Sequence, residues 1–239
     1  MPSYFLSEAE AQRYLESRIF FHPKVASKVV NYLNLVDPLD LILDVGCGTG
    51  QSSLAFAPFA KKVLAIDPSE AMLKRAHKSE NIEYKYGKAE EIDSLHISAD
   101  MIIAGQSFHW FEKRLFYSKA RKILKAGGYL IIFTHALNHI ELQKFESDFP
   151  SPFIQNNKNK EEAAIFDFEH IDFLIHSESI RIKKKELYQY FLTLSSVQQA
   201  MNMNEKDAQE KLSRYFKDIE DEDEIKLSSD SAIWILKKN

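Results

Sequence analysis

Hydrophobic and polar positions fall into two regimes along the chain. Between Leu39 and His135, short apolar runs alternate with amphipathic stretches. Leu41-Ile42-Leu43-Asp44-Val45 ends in glycines, and Val63-Leu64-Ala65-Ile66 ends at Asp67. Met101-Ile102-Ile103-Ala104 is entered from Asp100, and Tyr129 to Phe133 from Gly127-Gly128. Apolar runs this short, bounded by turn residues, read as buried strands. Ile82, Tyr84 and Tyr86 alternate with Glu83, Lys85 and Gly87, the pattern of an edge strand with one solvated face. Ser69 to Lys78 and Lys113 to Lys125 read as amphipathic helices. Repeated βα units predict a parallel, doubly wound sheet, which takes ligands at the carboxyl ends of its strands.

The flanks read differently. Ser7 with Glu10 three residues on is a capping box, opening a helix to about Arg18. Pro23 suits the first turn of a second helix, with Val25, Ala26, Val29, Val30 and Leu33 on its inner face. After His135 the alternation stops. A helix around Ile140 to Phe149, a mixed segment to about Leu187 and further helices to about Lys217 are expected. Ala208, Leu212, Tyr215 and Phe216 share a helical face there. Ile225 to Lys237 closes the chain as a strand. The expected organisation is a single domain over 1–239. It comprises an N-terminal helical cap (1–35), a core (36–135 and 223–239) and a helical insertion acting as a substrate lid (136–222).

Composition narrows the picture. A chain of 239 residues, 45% hydrophobic and 28% charged, accommodates one large domain with additions but not two full-sized ones. No apolar run exceeds five residues, so no bilayer-spanning helix is expected. The start carries Glu8 and Glu10 with no basic or apolar leader pattern, so no secretory signal is expected either. Cys47 is the single cysteine, which rules out an internal disulfide or a multi-cysteine zinc site and suggests a cytoplasmic location. A formal charge of -4 argues against binding nucleic acid by bulk charge. All seven glycines lie between Gly46 and Gly128, so the tight backbone work falls in the βα region.

The central motif is Asp44-Val45-Gly46-Cys47-Gly48-Thr49-Gly50, directly after the first strand and before a helix. Alternate glycines let a ligand approach the backbone and permit torsions closed to other residues. The nicotinamide fingerprint would need glycine at position 51, where Gln51 stands, and no Gly-Lys-Ser/Thr triplet cradles a phosphate. His135 and His139 have the spacing of a zinc motif but lack its glutamate, and no Gly-x-Ser-x-Gly elbow occurs. No metal site is expected.

These segments resemble class I S-adenosylmethionine (SAM)-dependent methyltransferases. Asp44 to Gly50 is similar to their first motif, and Ala65-Ile66-Asp67-Pro68-Ser69-Glu70-Ala71-Met72-Leu73 to their second-strand motif. Gly87 to Ile92, Ala99 to Phe111 and Leu124 to Gly128 are similar to the third, fourth and fifth. The His109-Trp110-Phe111 ending resembles the methyltransferase type 11 branch, which includes trans-aconitate methyltransferase-like enzymes. The resemblance implies a Rossmann-like α/β fold. Its seven-stranded, mostly parallel sheet carries helices on both faces, N-terminal helices and a helical insertion forming a lid. It implies SAM as cofactor and S-adenosylhomocysteine as product. It places Asp44, Gly46, Cys47, Gly48 and Gly50 at the methionyl end and Asp67 at the ribose. Pro68, Met72, Ala89 and Glu90 then fall at the adenine, and Gly105 and Gln106 beside the reactive methyl. The chain departs from the family at Lys88, where an acidic residue is common, so the adenine amino contact passes to Glu90 or to a backbone carbonyl.

The resemblance leaves the acceptor open. A small-molecule carboxylate or hydroxyl oxygen is expected, with a malonyl-carrier-protein acceptor or a non-catalytic SAM-binding partner protein as alternatives. The protein is expected to be a monomer or homodimer. Substrate contacts are expected from Tyr14 and Arg18 in the N-terminal helices, from Trp110, and from Tyr188 and Ser195 in the insertion. His109 has two readings, a catalytic general base or substrate hydrogen-bond donor near the sulfonium, or a structural residue opening the next helix. Methyl transfer to an ionised carboxylate requires no base.

Overall fold

The computed structural model describes residues 7–138, 163–217 and 223–239. The chain opens with α1 (Glu8–Ser17) and α2 (His22–Tyr32). The βα region follows as β1 (Leu39–Val45), α3 (Gln51–Phe56), β2 (Ala60–Asp67), α4 (Glu70–Lys74), β3 (Ile82–Tyr86), β4 (Ala99–Gly105), α5 (Lys113–Ile123) and β5 (Leu124–Asn138). It closes with β6 (Phe168–Lys183), α6 (Lys184–Phe191), α7 (Ser195–Phe216) and β7 (Glu224–Lys238). The strands form one seven-stranded sheet in the order β3-β2-β1-β4-β5-β7-β6. β1 to β5 pair in parallel, and β7 runs antiparallel to both β5 and β6.

Successive residues of the central strands serve opposite faces, as period-two geometry requires. Leu43, Leu64 and Ile102 pack with Phe116, Tyr117 and Ala120 of α5 on one face. Ile42, Val63 and Ile103 pack with Val25 and Val29 of α2 and Phe56 of α3 on the other. A third apolar cluster joins α6 and α7 (Leu187, Tyr190, Phe191, Leu212) to Leu137, Ile182 and Leu227 at the far ends of the long strands. Ile19 packs against that cluster, which forms the core of an α6–α7 cap, and so links the N-terminal helices to it.

Three expectations need correction. The 136–222 segment is not purely helical, because it contains the sixth strand, β6, at the sheet edge. Most of β6 is only half-buried or exposed, and polar residues such as His176, Ser177, Glu178 and Arg181 blur its period. The helix expected over Ser69 to Lys78 is confined to Glu70–Lys74; beyond it, the His77 amide donates to the Thr49 carbonyl at 3.1 Å rather than continuing a helical ladder. The helix from Lys113 ends at Ile123, because Leu124 already pairs with β4. The helix expected at Ile140 to Phe149, His139 and residues 218–222 of the acidic run lie outside the described residues.

Candidate functional site

Strand order reverses between β1 and β4, so the chain leaves their carboxyl ends in opposite directions and opens a crevice there. The loop after β1 lies in this crevice, with φ of 70° at Gly46, 54° at Gly48 and 78° at Gly50. The three glycines are required for different reasons. A Cβ on Gly46 would stand 2.5 Å from Ser107 Cβ, and one on Gly50 2.1 Å from the Tyr84 hydroxyl oxygen. A Cβ on Gly48 would meet nothing within 4 Å. Gly46 and Gly50 therefore serve packing, whereas Gly48 faces open space.

The loop is pinned to β2. The Gly46 and Cys47 amides donate to the Ile66 carbonyl at 2.8 and 3.0 Å, and the Gly48 amide to Asp67 Oδ2 at 2.9 Å. Asp67 Oδ1 accepts from the Ser69 amide at 2.8 Å. Asp67 is 2% exposed, and burial raises its pKa to about 6 against these two hydrogen bonds. Asp44 is wholly buried; the Ser52 and Ser53 hydroxyls both donate to its Oδ2 at 2.5 Å, while Oδ1 has no hydrogen-bond partner. Burial raises Asp44 to about 6 as well. Burial also pushes the Cys47 thiol up, with Asp44 and Asp67 adding to the effect.

A cavity of about 370 Å³ opens over this loop, within the range of small-molecule pockets. Gly46, Gly48 and Asp67 line it on the β1–β2 side, with Pro68, Met72 and Ala89 flanking them. Glu90, Gln106, Trp110 and Tyr14 complete the expected set that the fold brings together. Tyr14 comes from α1, which packs its Ala11 and Tyr14 against Ala71 and Met72 of α4. Gln106 takes a φ of 55°, unusual for a residue with a side chain, and its Nε2 donates to the His135 carbonyl at 2.9 Å. Glu90 Oε1 accepts from the Glu112 amide at 2.9 Å.

Other expected residues do not line the cavity. Asp44, Cys47, Gly50 and Gly105 stand behind its wall, and a Cβ on Gly105 would strike the Phe133 ring at 2.3 Å. His109 lies beside Trp110, ring centroids 4.9 Å apart, and is held neutral, with its pKa lowered to about 4 by burial and by the charges of Arg18 and Lys113. Arg18 is also off the cavity, stacked on Tyr14. Tyr188 packs edge-on against Phe216 in the cap core, and Ser195 opens α7; the structure brings neither to the cavity. Four lining residues are additions: Tyr86, Lys88, Ser107 and Phe111. Tyr86 pairs in register with Asp67 at the end of the adjacent strand, so the carboxyl-end rule that singles out Asp67 also selects it. Among the described residues there is no group of three or more potential metal ligands, and no helix long and apolar enough to cross a membrane.

The donor set suits a nucleoside. The two Asp67 oxygens keep acceptor capacity beyond their two amide bonds, which a vicinal diol requires. Gly48 leaves room for a ligand against the backbone, and Pro68, Met72 and Ala89 offer apolar surface for a flat ring. Residues 43–132 match a family model described as a methyltransferase domain. The matched segment runs from within β1 to within β5 and so contains the loop and, Tyr14 apart, the cavity wall described above. The chain is similar to a protein of Dictyostelium discoideum named a methyltransferase, 38% identical over 101 residues, which cover 42% of this chain and 38% of that one. It is 28% identical over 137 residues to a Saccharomyces cerevisiae protein named a SAM-dependent methyltransferase, covering 50% of this chain and 47% of that one. The chain thus spans less than half the length of these curated relatives. In fold it is similar to a methyltransferase designated type II from Anaeromyxobacter dehalogenans, with a TM-score of 0.66 and 22% identity, covering 89% of this chain and 95% of that one.

Proposed function

We propose that this protein transfers the methyl group of SAM to a small-molecule acceptor, at a carboxylate or hydroxyl oxygen. The observation that carries this reading is Asp67, a buried carboxylate on the cavity wall that is tied to the amide of Gly48, the loop glycine facing open space. In this reading Asp67 accepts the ribose hydroxyls, while Pro68, Met72, Tyr86 and Ala89 flank the adenine. Lys88 donates only, so Glu90 accepts a hydrogen bond from the adenine amino group on the oxygen that the Glu112 amide leaves unused. Asp44, with one oxygen unpartnered, supplies negative charge behind the loop for the methionyl ammonium. Gly46, Cys47 and Gly50 shape the loop, and Gly105 and Gln106 border the transfer region.

SAM supplies an electrophilic methyl carbon on a sulfonium sulfur. The chain's contribution is to hold the acceptor in line with that carbon and to exclude water, so that orientation provides most of the acceleration. His109, neutral near pH 7, suits an uncharged hydrogen-bonding role; an ionised carboxylate acceptor needs nothing more from it.

Calorimetric titration of the protein with SAM and with S-adenosylhomocysteine tests the reading. Saturable binding of both near one site per chain is expected. Absence of binding by either would sink it. Turnover that depends on an acyl-carrier protein would move the acceptor to a carrier-bound malonyl group. Binding without transfer to any acceptor would favour a SAM-binding partner protein.

A further inference from the structure

A polar cluster centred on Arg18 lies against the cofactor cavity. Arg18 caps the end of α1 and turns its guanidinium inward. Nη2 donates to the Thr193 carbonyl at 2.8 Å, and Cζ stands 4.7 Å from the Tyr14 ring centroid and 5.2 Å from that of Tyr190. Nε is buried without a hydrogen-bond partner, and among the described residues no carboxylate forms an ion pair with this guanidinium. A largely enclosed cation with no counter-charge among the described residues is costly to the fold, and an anionic ligand removes that cost.

The surroundings fix how much charge the ligand carries. Among the described residues, Arg18 is the one cation whose field reaches His22, His109 and His135 alike. Burial, together with that field, lowers these histidines to about 3, 4 and 4 respectively, so all three are neutral near pH 7. Lys113 touches only the His109 side, and Asp230, which accepts from Ser228, only the His135 side. His22 is 6% exposed with Nδ1 buried and unpartnered, and His135 Nε2 sits 2.9 Å from the Ser229 hydroxyl. Phe21 stacks between His22 and His135, with centroids 4.0 Å from each. The cluster therefore offers one central positive charge, a vacant polar atom and flat aromatic walls. It joins the cavity through shared residues: Tyr14 under the guanidinium, Trp110 against His109, and Gln106 bonded to the His135 carbonyl.

We infer that the Arg18 cluster is the acceptor subsite and anchors one carboxylate of the methyl acceptor on its guanidinium, beside the His22 imidazole. This rests on the methyltransferase reading and names the class of its acceptor. A carboxylate carries the single negative charge the cluster matches. A phosphate ester carries about -1.5 to -2, more than the single guanidinium at the centre of the cluster balances.

The test is calorimetry on protein saturated with S-adenosylhomocysteine, using benzoate, its uncharged isostere benzamide, and phenyl phosphate as probes. In wild type, benzoate should bind about tenfold tighter than either of the others, a difference of about 1.4 kcal/mol. Arg18→Gln should erase that preference while holding S-adenosylhomocysteine within about threefold of wild type; that binding also reports that the variant is folded. Arg18→Lys, which keeps the charge but not the fork, should retain part of the preference. Equal binding of benzoate and benzamide to wild type overturns the inference, as does a preference for phenyl phosphate. So does a preference that survives Arg18→Gln. Loss of about tenfold or more in S-adenosylhomocysteine affinity in Arg18→Gln overturns it too, because the captured carboxylate would then be the cofactor's own. Wild type that fails to bind S-adenosylhomocysteine rejects the methyltransferase reading itself, before any carboxylate is added.

Discussion

Asp67 is structural and cavity-facing at once: its oxygens hold the Gly48 and Ser69 amides, and the residue still borders the cavity. Asp67→Asn keeps the shape but removes the charge. Hydrogen bonds to charged groups contribute about 1.5–3 kcal/mol each. The substitution should therefore weaken S-adenosylhomocysteine by roughly tenfold to a hundredfold in calorimetry; unchanged affinity would remove Asp67 from the ribose. The carboxyl titrates at about 6 in the folded protein. A diol donates best to the ionised form, so affinity should fall as pH drops through 6, and this dependence should flatten in Asp67→Asn. Position after the second strand made Asp67 legible in the sequence. Tyr86 was hidden because its alternation with Glu83 and Lys85 describes an edge strand equally well. Arg18 could be placed near the pocket from sequence, but its lack of a counter-charge among the described residues depends on which side chains meet in space.

The loop between β1 and α3 separates two kinds of glycine. Gly48→Ala sets a methyl group in open space, at a strain of about 1–2 kcal/mol for a left-handed residue. It should fold with a modest fall in Tm yet lose cofactor affinity, because the methyl occupies ligand space. Gly50→Ala adds a clash with Tyr84, whose hydroxyl is held by the His77 carbonyl at 2.7 Å. It should lower Tm more than Gly48→Ala does. The reverse order in thermal melts would contradict this division. The first five strands were legible because each is a short apolar run ending in an acid or glycine. β6 was not, since an edge strand with half-exposed side chains carries little of the hydrophobic periodicity that marks its neighbours. α4 was over-extended because a polar, alanine-containing stretch looks helical until a tertiary bond from His77 to Thr49 ends it.

For the whole molecule, buried titratable groups set opposing pH dependences. Asp44 and Asp67 fold with raised pKa values of about 6, so the stability they confer is full below the ordinary carboxylate range and is lost as pH rises through 6. His22, His109 and His135 fold with values lowered to between about 3 and 4, so their contribution is full above 6.5 and is lost as pH falls. Near pH 5, three histidines outweigh two carboxylates by about one proton, a slope of about 1.4 kcal/mol per pH unit. Denaturant titrations should show lower stability at pH 5 than at pH 7; the opposite order would mean that the histidine cluster is not enclosed as described. The histidine contribution was not legible in the sequence, because these residues lie far apart in the chain and come together only around Arg18. The sheet order carries one more consequence. β7 is wedged between β5 and β6, yet follows both in the chain. While the polypeptide is being made, β6 has no sheet to join until β7 has emerged. The parallel β1–β5 core can therefore condense early, whereas β6 and the α6–α7 cluster built on it must wait for a single late strand to close the edge.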